Sequence, residues 1–304
     1  MLEEKGYEVV VSQKDGVLSS EELKEGVKGA DAVLSLLTDK IDEDVLSVAG
    51  EQLKVVANYA VGFNNLDVEA GKKHNVVMTN TPGVLTETVA EFALSLIMAI
   101  AKRISEGDRF TRAGKFVGWA PMLLLGSDLG GKTLGVVGLG RIGMSLAKKA
   151  KFGLGMNILY HDPAKNEEFE KETGAELASL DEVLQKSDVV SIHVPLLDST
   201  KHLINAEKLA LMKKTAYLVN TSRGPVIDEA ALVEVLKQGT IKGAALDVFE
   251  DEPQLKPGLA ELENVILTPH TASATEETRS KMSEMAAQNI IAVLEGGEAP
   301  NKIQ

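Results

Sequence analysis

The segment 133–162 constrains the fold of this chain more than any other. An apolar strand at 133–137 runs into Gly138, Gly140 and Gly143, and the residues from Ile142 to Lys149 continue with helical spacing. Strand, glycine turn and helix in that order form the opening of a βαβ unit. Gly138 permits the tight turn, Gly140 lets the backbone approach a pyrophosphate, and Gly143 lets the helix pack close to the strand. The free N–H groups at the start of the helix then receive phosphate oxygens. A second apolar run, 156–161, ends at Asp162, 19 residues after Gly143. A carboxylate at that distance accepts hydrogen bonds from both hydroxyls of an adenosine ribose. A glycine-rich turn alone is a weak signal; with strand, helix and acid in place it reads as a dinucleotide site. The acid also selects NAD, because a 2′-phosphate beside Asp162 meets like charge. Lys165 reads as a solvated side chain rather than a phosphate partner.

With 304 residues, the chain has room for two domains, each with its own core. A hydrophobic content of 44% with 25% charged residues is ordinary for a globular protein. A net charge of -13 argues against nucleic acid and anionic membranes as partners. The absence of cysteine removes disulfides and thiol chemistry and fits a cytoplasmic setting. The opening residues do not read as a signal peptide. The most apolar run, 92–101, has ten residues, too few to span a bilayer.

Short apolar strands alternate with amphipathic helices almost throughout, so the expected class is α/β with parallel sheets covered on both faces. Strands are expected at 7–11, 32–36, 54–58 and 76–79, with helices at 20–27, 43–49 and 67–74. A long helix starts near Thr86 and continues past Ala101. Beyond the glycine loop, strands fit 189–193, 216–220, 243–248 and 265–267, and a helix at 275–294 closes the chain. The expected division is a substrate domain of residues 1–97 plus 271–304 and a dinucleotide domain of 98–270, with a cleft between them. Residues 2–6 resemble the last turn of a helix with its glycine cap, feeding a strand. An α/β domain should open with a strand before such a helix, so the first domain is expected to lack its N-terminal strand.

Hydride transfer to a carbonyl needs a proton donor, a cation near the substrate and a dry site. Candidates follow three successive strands, where α/β sheets place ligands. The segment 220–224, Asn-Thr-Ser-Arg-Gly, offers the Arg223 guanidinium for a carboxylate or a carbonyl oxygen. The segment 247–253 contains Glu252, and 268–270 ends in His270. Histidine suits proton donation near neutrality, and a neighbouring carboxylate keeps it protonated. A His after Pro could equally be a packed loop residue. His74, His161, His193 and His202 read as structural, and no spacing points to a metal.

At these residues the chain resembles the D-isomer-specific 2-hydroxyacid dehydrogenases, in particular the glyoxylate and hydroxypyruvate reductase branch. The resemblance runs over essentially the whole chain, through segments 58–67, 79–86, the glycine loop, 220–224, 246–253 and 268–270. It implies His270 as proton donor, Glu252 as the residue that raises its pKa, and Arg223 as binder of the substrate's carboxylate and carbonyl oxygen. It implies substrate contact by the backbone N–H groups of Val61 and Gly62. NAD contacts would come from Gly138, Gly140, Arg141, Ile142, Gly143, Asp162, Val194, Pro195, Thr221, Ser222, Arg223 and Asp247. A loop containing glycine can present N–H donors to an anion, which agrees with the assignment at Val61 and Gly62. The segment 117–121 matches a dimer arm whose tryptophan, here Trp119, reaches the partner's active site in a homodimer; a core or interdomain anchor is the alternative. Branch members with NADP preference carry Ser-Arg where this chain has His161 and Asp162, so that preference should not carry over.

The expected reaction is NADH-dependent reduction of a small 2-oxo acid, glyoxylate or hydroxypyruvate. A 3-phosphoglycerate dehydrogenase shares the motifs but needs cations for a phosphate, and 61–65 has none. Phosphite dehydrogenase carries a lysine in the loop matching 59–64, which is absent here. From another class, NAD-sensing corepressors have similar folds and bind partner peptides; retained Arg, Glu and His do not exclude them. Which 2-oxo acid is reduced depends on pocket details worth only a few kcal/mol.

Overall fold

The computed structural model of the protein describes residues 1–14 and 16–303, which form two compact units. The first comprises Met1–Leu85 and Ala274–Gln304, the second Thr86–Ser273.

In the first unit, helices α1 (Ser20–Val27), α2 (Glu43–Ala49) and α3 (Val68–Lys73) alternate with strands β1 (Ala32–Ser35), β2 (Val55–Asn58) and β3 (Val77–Thr79). Each helix has a local start signal. Ser19 and Glu22 form a capping box on α1, while Asp42 and Asp67 accept N–H groups of α2 and α3. The strands form a parallel sheet of order β1-β2-β3. Leu46, Val56 and Met78 are buried together on one side of it.

The expected strand at 7–11 does not form. A strand needs a hydrogen-bonded neighbour, and 7–11 pairs with none of the described strands. Val10 and Val11 are instead 85% and 68% exposed. The turn before it does form, as a 3₁₀ helix, Glu3–Lys5, closed by Gly6 at φ 86°.

The second unit opens with α4 (Thr86–Ala101), followed by α5 (Ile104–Arg112). The boundary thus lies before α4, not at 97/98, because the buried face of α4 belongs to the second unit's core. Ala90, Ala93 and Ile97 pack there with Leu134, Leu146 and Tyr160. The single long helix expected past Ala101 is broken. Ser127 donates its N–H to the Ala101 carbonyl at 2.8 Å, taking an acceptor that a continuing helix would use. Arg103 then takes a left-handed φ of 56°.

The chain next lays down β4 (Thr133–Val137), α6 (Arg141–Leu154), β5 (Asn157–His161), α7 (Glu167–Thr173) and β6 (Glu176–Leu177). It continues through α8 (Leu180–Lys186), β7 (Val189–Ile192), α9 (Ala206–Ala210), β8 (Tyr217–Asn220), α10 (Glu229–Lys237), β9 (Gly243–Leu246) and β10 (Val265–Leu267). All seven strands are parallel, in the order β10-β9-β8-β7-β4-β5-β6. The central strands β4, β7, β8 and β9 are buried almost throughout, as expected for a sheet covered on both faces. The order reverses direction between β4 and β7, so their carboxyl ends diverge into the crevice where such sheets bind ligands. The last helix, α11 (Glu276–Leu294), returns the chain to the first unit and packs on β2 through Ala286 and Ile290. Among the described residues no helix is long and apolar enough to cross a membrane.

Gly143 determines how closely α6 approaches β4. A Cβ there would lie 2.3 Å from the Gly138 carbonyl oxygen and 3.0 Å from Val136 Cγ1. Gly143→Ala should therefore destabilise the second unit by about 1–3 kcal/mol through overpacking. Thermal unfolding reads this directly, and an unchanged midpoint would show that the helix can retreat without loss.

Candidate active site

The residues expected to bind the cofactor all follow strands at the carboxyl edge of the seven-stranded sheet. Gly138 turns the chain after β4 at φ 97°, and a Cβ there would strike the backbone of His193 and Val194 at 2.8–2.9 Å. Gly140 is the N-cap of α6 and supplies no side-chain cap, so the first N–H groups of the helix, including those of Arg141 and Ile142, stay available for an anion. A Cβ on Gly140 would meet nothing within 4 Å, which leaves space for a group to approach the backbone. Asp162, after β5, accepts the Leu139 N–H at 2.9 Å and the Ala164 N–H at 3.2 Å. Those bonds hold its carboxylate beside the glycine loop, on a pocket lined by Leu139, Ala164, Lys165, Asn166 and Glu167. The charge of Lys165 is paired with Glu170 at 3.3 Å.

Val194 is half-buried after β7, and Pro195 is exposed, its carbonyl accepting from Thr200 Oγ1 at 2.6 Å. After β8, Asn220 organises its own turn, accepting from Ser222 N–H and Oγ and donating to the Arg223 carbonyl. Thr221 Oγ1 is buried with no hydrogen-bond partner among the described residues. Such an orphan is costly unless a bound molecule satisfies it. An open glycine turn, an uncapped helix start, an acid at ribose distance and an orphaned hydroxyl all fit a dinucleotide.

Arg223, Glu252 and His270 are brought together within the second unit. His270 Nδ1 lies 2.9 Å from Glu252 Oε2, and Glu252 Oε1 accepts the Phe249 N–H at 3.0 Å. Burial pushes the Glu252 carboxyl up. The His270 hydrogen bond and charge, the Phe249 N–H and the charge of Arg223 outweigh it and hold the group below its ordinary value. Glu252 is therefore ionised at neutral pH. Burial lowers the pKa of Arg223 and the Glu252 charge opposes that, leaving a guanidinium that is charged at any working pH. Its Nη1 donates to the Ser222 carbonyl at 2.6 Å.

His270 sits at φ 54°, a left-handed conformation that a non-glycine residue adopts only when its surroundings impose it. Asp247 imposes it. The Asp247 carbonyl accepts the His270 N–H at 2.9 Å, and its carboxylate accepts Thr268 Oγ1, Thr271 N–H and Ala272 N–H at 2.6–2.9 Å. Asp247, expected as a cofactor contact, therefore also has a structural task. Asp247 has no exposed surface, and both its oxygens are taken up in holding the 268–272 segment.

The other histidines have local partners. Burial holds His193 down at about 4, so it is neutral at physiological pH, and its Nε2 meets Ser191 Oγ at 2.8 Å. His74 pairs with Glu43, His161 with the Ala178 carbonyl, and His202 with Glu250. Trp119 lies outside the hydrophobic cores. It is 84% exposed, on a segment where Phe116, Val117 and Met122 are exposed as well. Such exposure rules out a core position for Trp119.

In the first unit, Val61 and Gly62 lie in the loop after β2. Asn80 Nδ2 donates to the Val61 carbonyl at 2.7 Å and Asn58 Nδ2 to the Gly62 carbonyl at 2.9 Å. Across a trans peptide the N–H points opposite to the C=O, so pinning the Val61 carbonyl orients the Gly62 N–H away from Asn80.

Gly224 was legible in the sequence only as part of a motif, and its role is steric. A Cβ on Gly224 would fall 1.8 Å from the Phe249 carbonyl oxygen. The loop carrying Arg223 therefore rests directly on the backbone that leads to Glu252. No local pattern signals this contact between segments 25 residues apart.

Such a combination of fold and site defines a nucleotide-dependent dehydrogenase. Residues 94–272 match the family model described as D-isomer specific 2-hydroxyacid dehydrogenase, NAD binding domain, and the chain belongs to that family. It is 51% identical over 303 residues to the glyoxylate reductase of Korarchaeum cryptofilum, covering 99% of this chain and 90% of that one. A Thermus thermophilus protein of known structure superposes with a TM-score of 0.94 at 43% identity, covering 100% of this chain and 95% of that one. An NADPH-dependent glyoxylate/hydroxypyruvate reductase from Sinorhizobium meliloti, solved with NADP and malonate, gives 0.83 at 33% identity, covering 94% and 86%.

Gly224→Ala should force the Arg223 and Glu252 loops apart and lower turnover by roughly a hundredfold, the effect of misplacing a group by about 1 Å. Dehydrogenase assays beside thermal unfolding test this; full activity in the variant would mean that the two loops need not touch.

Proposed function

We propose that the protein reduces a small 2-oxo acid, glyoxylate or hydroxypyruvate, to the corresponding 2-hydroxy acid with NADH. The observation that carries this reading is the 2.9 Å pair between His270 Nδ1 and the ionised Glu252, with the Arg223 charge beside it. Bound NADH supplies a hydride to the carbonyl carbon. Arg223 holds the acid's carboxylate and leans on its carbonyl oxygen, and in the first unit we assign the N–H groups of Val61 and Gly62 to substrate binding. As the C–H bond forms, His270 gives the proton on Nε2 to the carbonyl oxygen, so substrate, hydride and proton sum to the alcohol. Glu252, 2.9 Å from Nδ1, holds the ring so that Nε2 is the nitrogen left for the substrate. His270 is 32% exposed, so solvent can restore its proton. A chiral product has D configuration.

Asp162 and its backbone donors support NADH over NADPH. A 2′-phosphate there would meet a carboxylate, and the nearby cation, Lys165, is engaged by Glu170. The glycine loop with Arg141 and Ile142 takes the pyrophosphate, and Val194, Pro195, Thr221 and Ser222 line the way to the nicotinamide. The exposed apolar segment with Trp119 supports a homodimer in which Trp119 reaches the partner's substrate. We place the enzyme in the cytoplasm, acting without nucleic acid or membrane.

His270→Gln should lower kcat for glyoxylate reduction by roughly 10²–10⁴-fold while leaving the NADH Kd close to the parent's. Stopped-flow turnover with a parallel fluorescence titration reads both, and a parent-like kcat would remove His270 from the mechanism. Asp162→Arg should reverse the ratio of kcat/KM for NADH and NADPH. A parent protein that already favours NADPH contradicts the charge argument.

A further inference from the structure

Glu229 is a charged residue with 2% of its surface exposed, and the reaction described above makes no use of it. It opens α10, yet the helix does not need it as a cap, because Asp228 already accepts the Ala231 N–H at 3.0 Å. A carboxylate withdrawn from water is unfavourable unless both oxygens are hydrogen-bonded. Glu229 meets that condition in a particular way. Its Oε2 accepts the Glu250 N–H at 2.8 Å and its Oε1 accepts the Lys256 N–H at 2.9 Å. These two amides stand on either side of Glu252.

The arrangement is reciprocal. Glu250 Oε2 accepts the Glu229 N–H at 3.2 Å, so each carboxylate takes the other residue's backbone donor. His202 Nε2 lies 2.8 Å from Glu250 Oε1, and Lys256 Nζ, 3.7 Å from Glu250 Oε2, offsets the paired negative charges. Lys256 also engages Asp251. An apolar side chain of similar volume could fill this space; two acceptor oxygens in place of it fix the orientation of the loop.

We propose that Glu229 is a positioning residue for the reduction: it staples the loop 250–256 at both ends so that Glu252 stays against Nδ1 of His270. The inference rests on the reading of Glu252 and His270 as the proton-donating pair. It adds a residue that touches neither substrate nor cofactor and acts through the backbone.

Glu229→Gln keeps the size but sets an NH₂ against one of the two backbone donors. The expected result is a folded protein whose kcat for reduction falls roughly ten- to hundredfold. The alkaline limb of its pH–rate profile should move to lower pH, with little change in KM for NADH. The His270 imidazole titration, followed by NMR in parent and variant, reads the same coupling without turnover. A pH profile and imidazole titration matching the parent's would overturn the proposal, as would a loss confined to the unfolding midpoint. If Glu229→Gln does not fold, Glu250→Gln removes the other half of the exchange and is expected to move the same limb. A parent that reduces no 2-oxo acid would refute the proposed reaction, while the imidazole titration would still show whether Glu229 holds Glu252 on His270.

Discussion

Two stretches of backbone touch where Gly224 meets the carbonyl of Phe249, and the chemistry of the second unit depends on that contact. Arg223 precedes one side of it and Glu252 follows the other. With any side chain at 224, the guanidinium and the carboxylate would sit on loops held apart by at least the width of a methyl group. The contact is possible because β8 and β9 are adjacent parallel strands, so their carboxyl-end loops leave the sheet side by side.

Around that contact the protein uses buried acids as structural ties. Asp247 binds four donors of the 268–272 segment through its carboxylate and carbonyl, and in doing so holds His270 in a left-handed conformation. Glu229 binds two amides around Glu252. Each acid is satisfied largely by backbone N–H groups, whose positions vary less than those of side chains. Hydrogen bonds from a fixed backbone to an ionised acceptor are also stronger than neutral ones. The result is a His–Glu pair whose geometry is fixed by the protein's own backbone, the kind of preorganisation that lets a charged site act without rearranging.

Much of this was legible in the residues themselves. Helices α1 and α2 lie at the residues expected of them, since their apolar spacing and their caps, Ser19 and Asp42, are local. The glycine loop was readable because backbone requirements at 138 and 143 leave few alternatives to glycine. The trio could be nominated because each member follows a strand, yet only as separate candidates. What the residues did not reveal was non-local. The valines at 9–11 have a strand's composition but no neighbour to pair with. The break after Ala101 comes from Ser127, a residue that arrives later in the chain. Asp247 ends a strand like the other candidate acids, and only its three donors show that its carboxylate also ties down the 268–272 segment.

By itself, then, the sequence determined the class of fold, the alternation of elements, the dinucleotide turn and the kinds of side chain available at the strand ends. These follow from periodicity, capping and steric rules that act over a few residues. Tertiary structure decided where the unit boundary falls, which acid supports and which acid faces His270, and how near Arg223 comes to Glu252. Those outcomes depend on contacts between segments tens of residues apart, set by strand order and the close packing of loops, which no local pattern encodes.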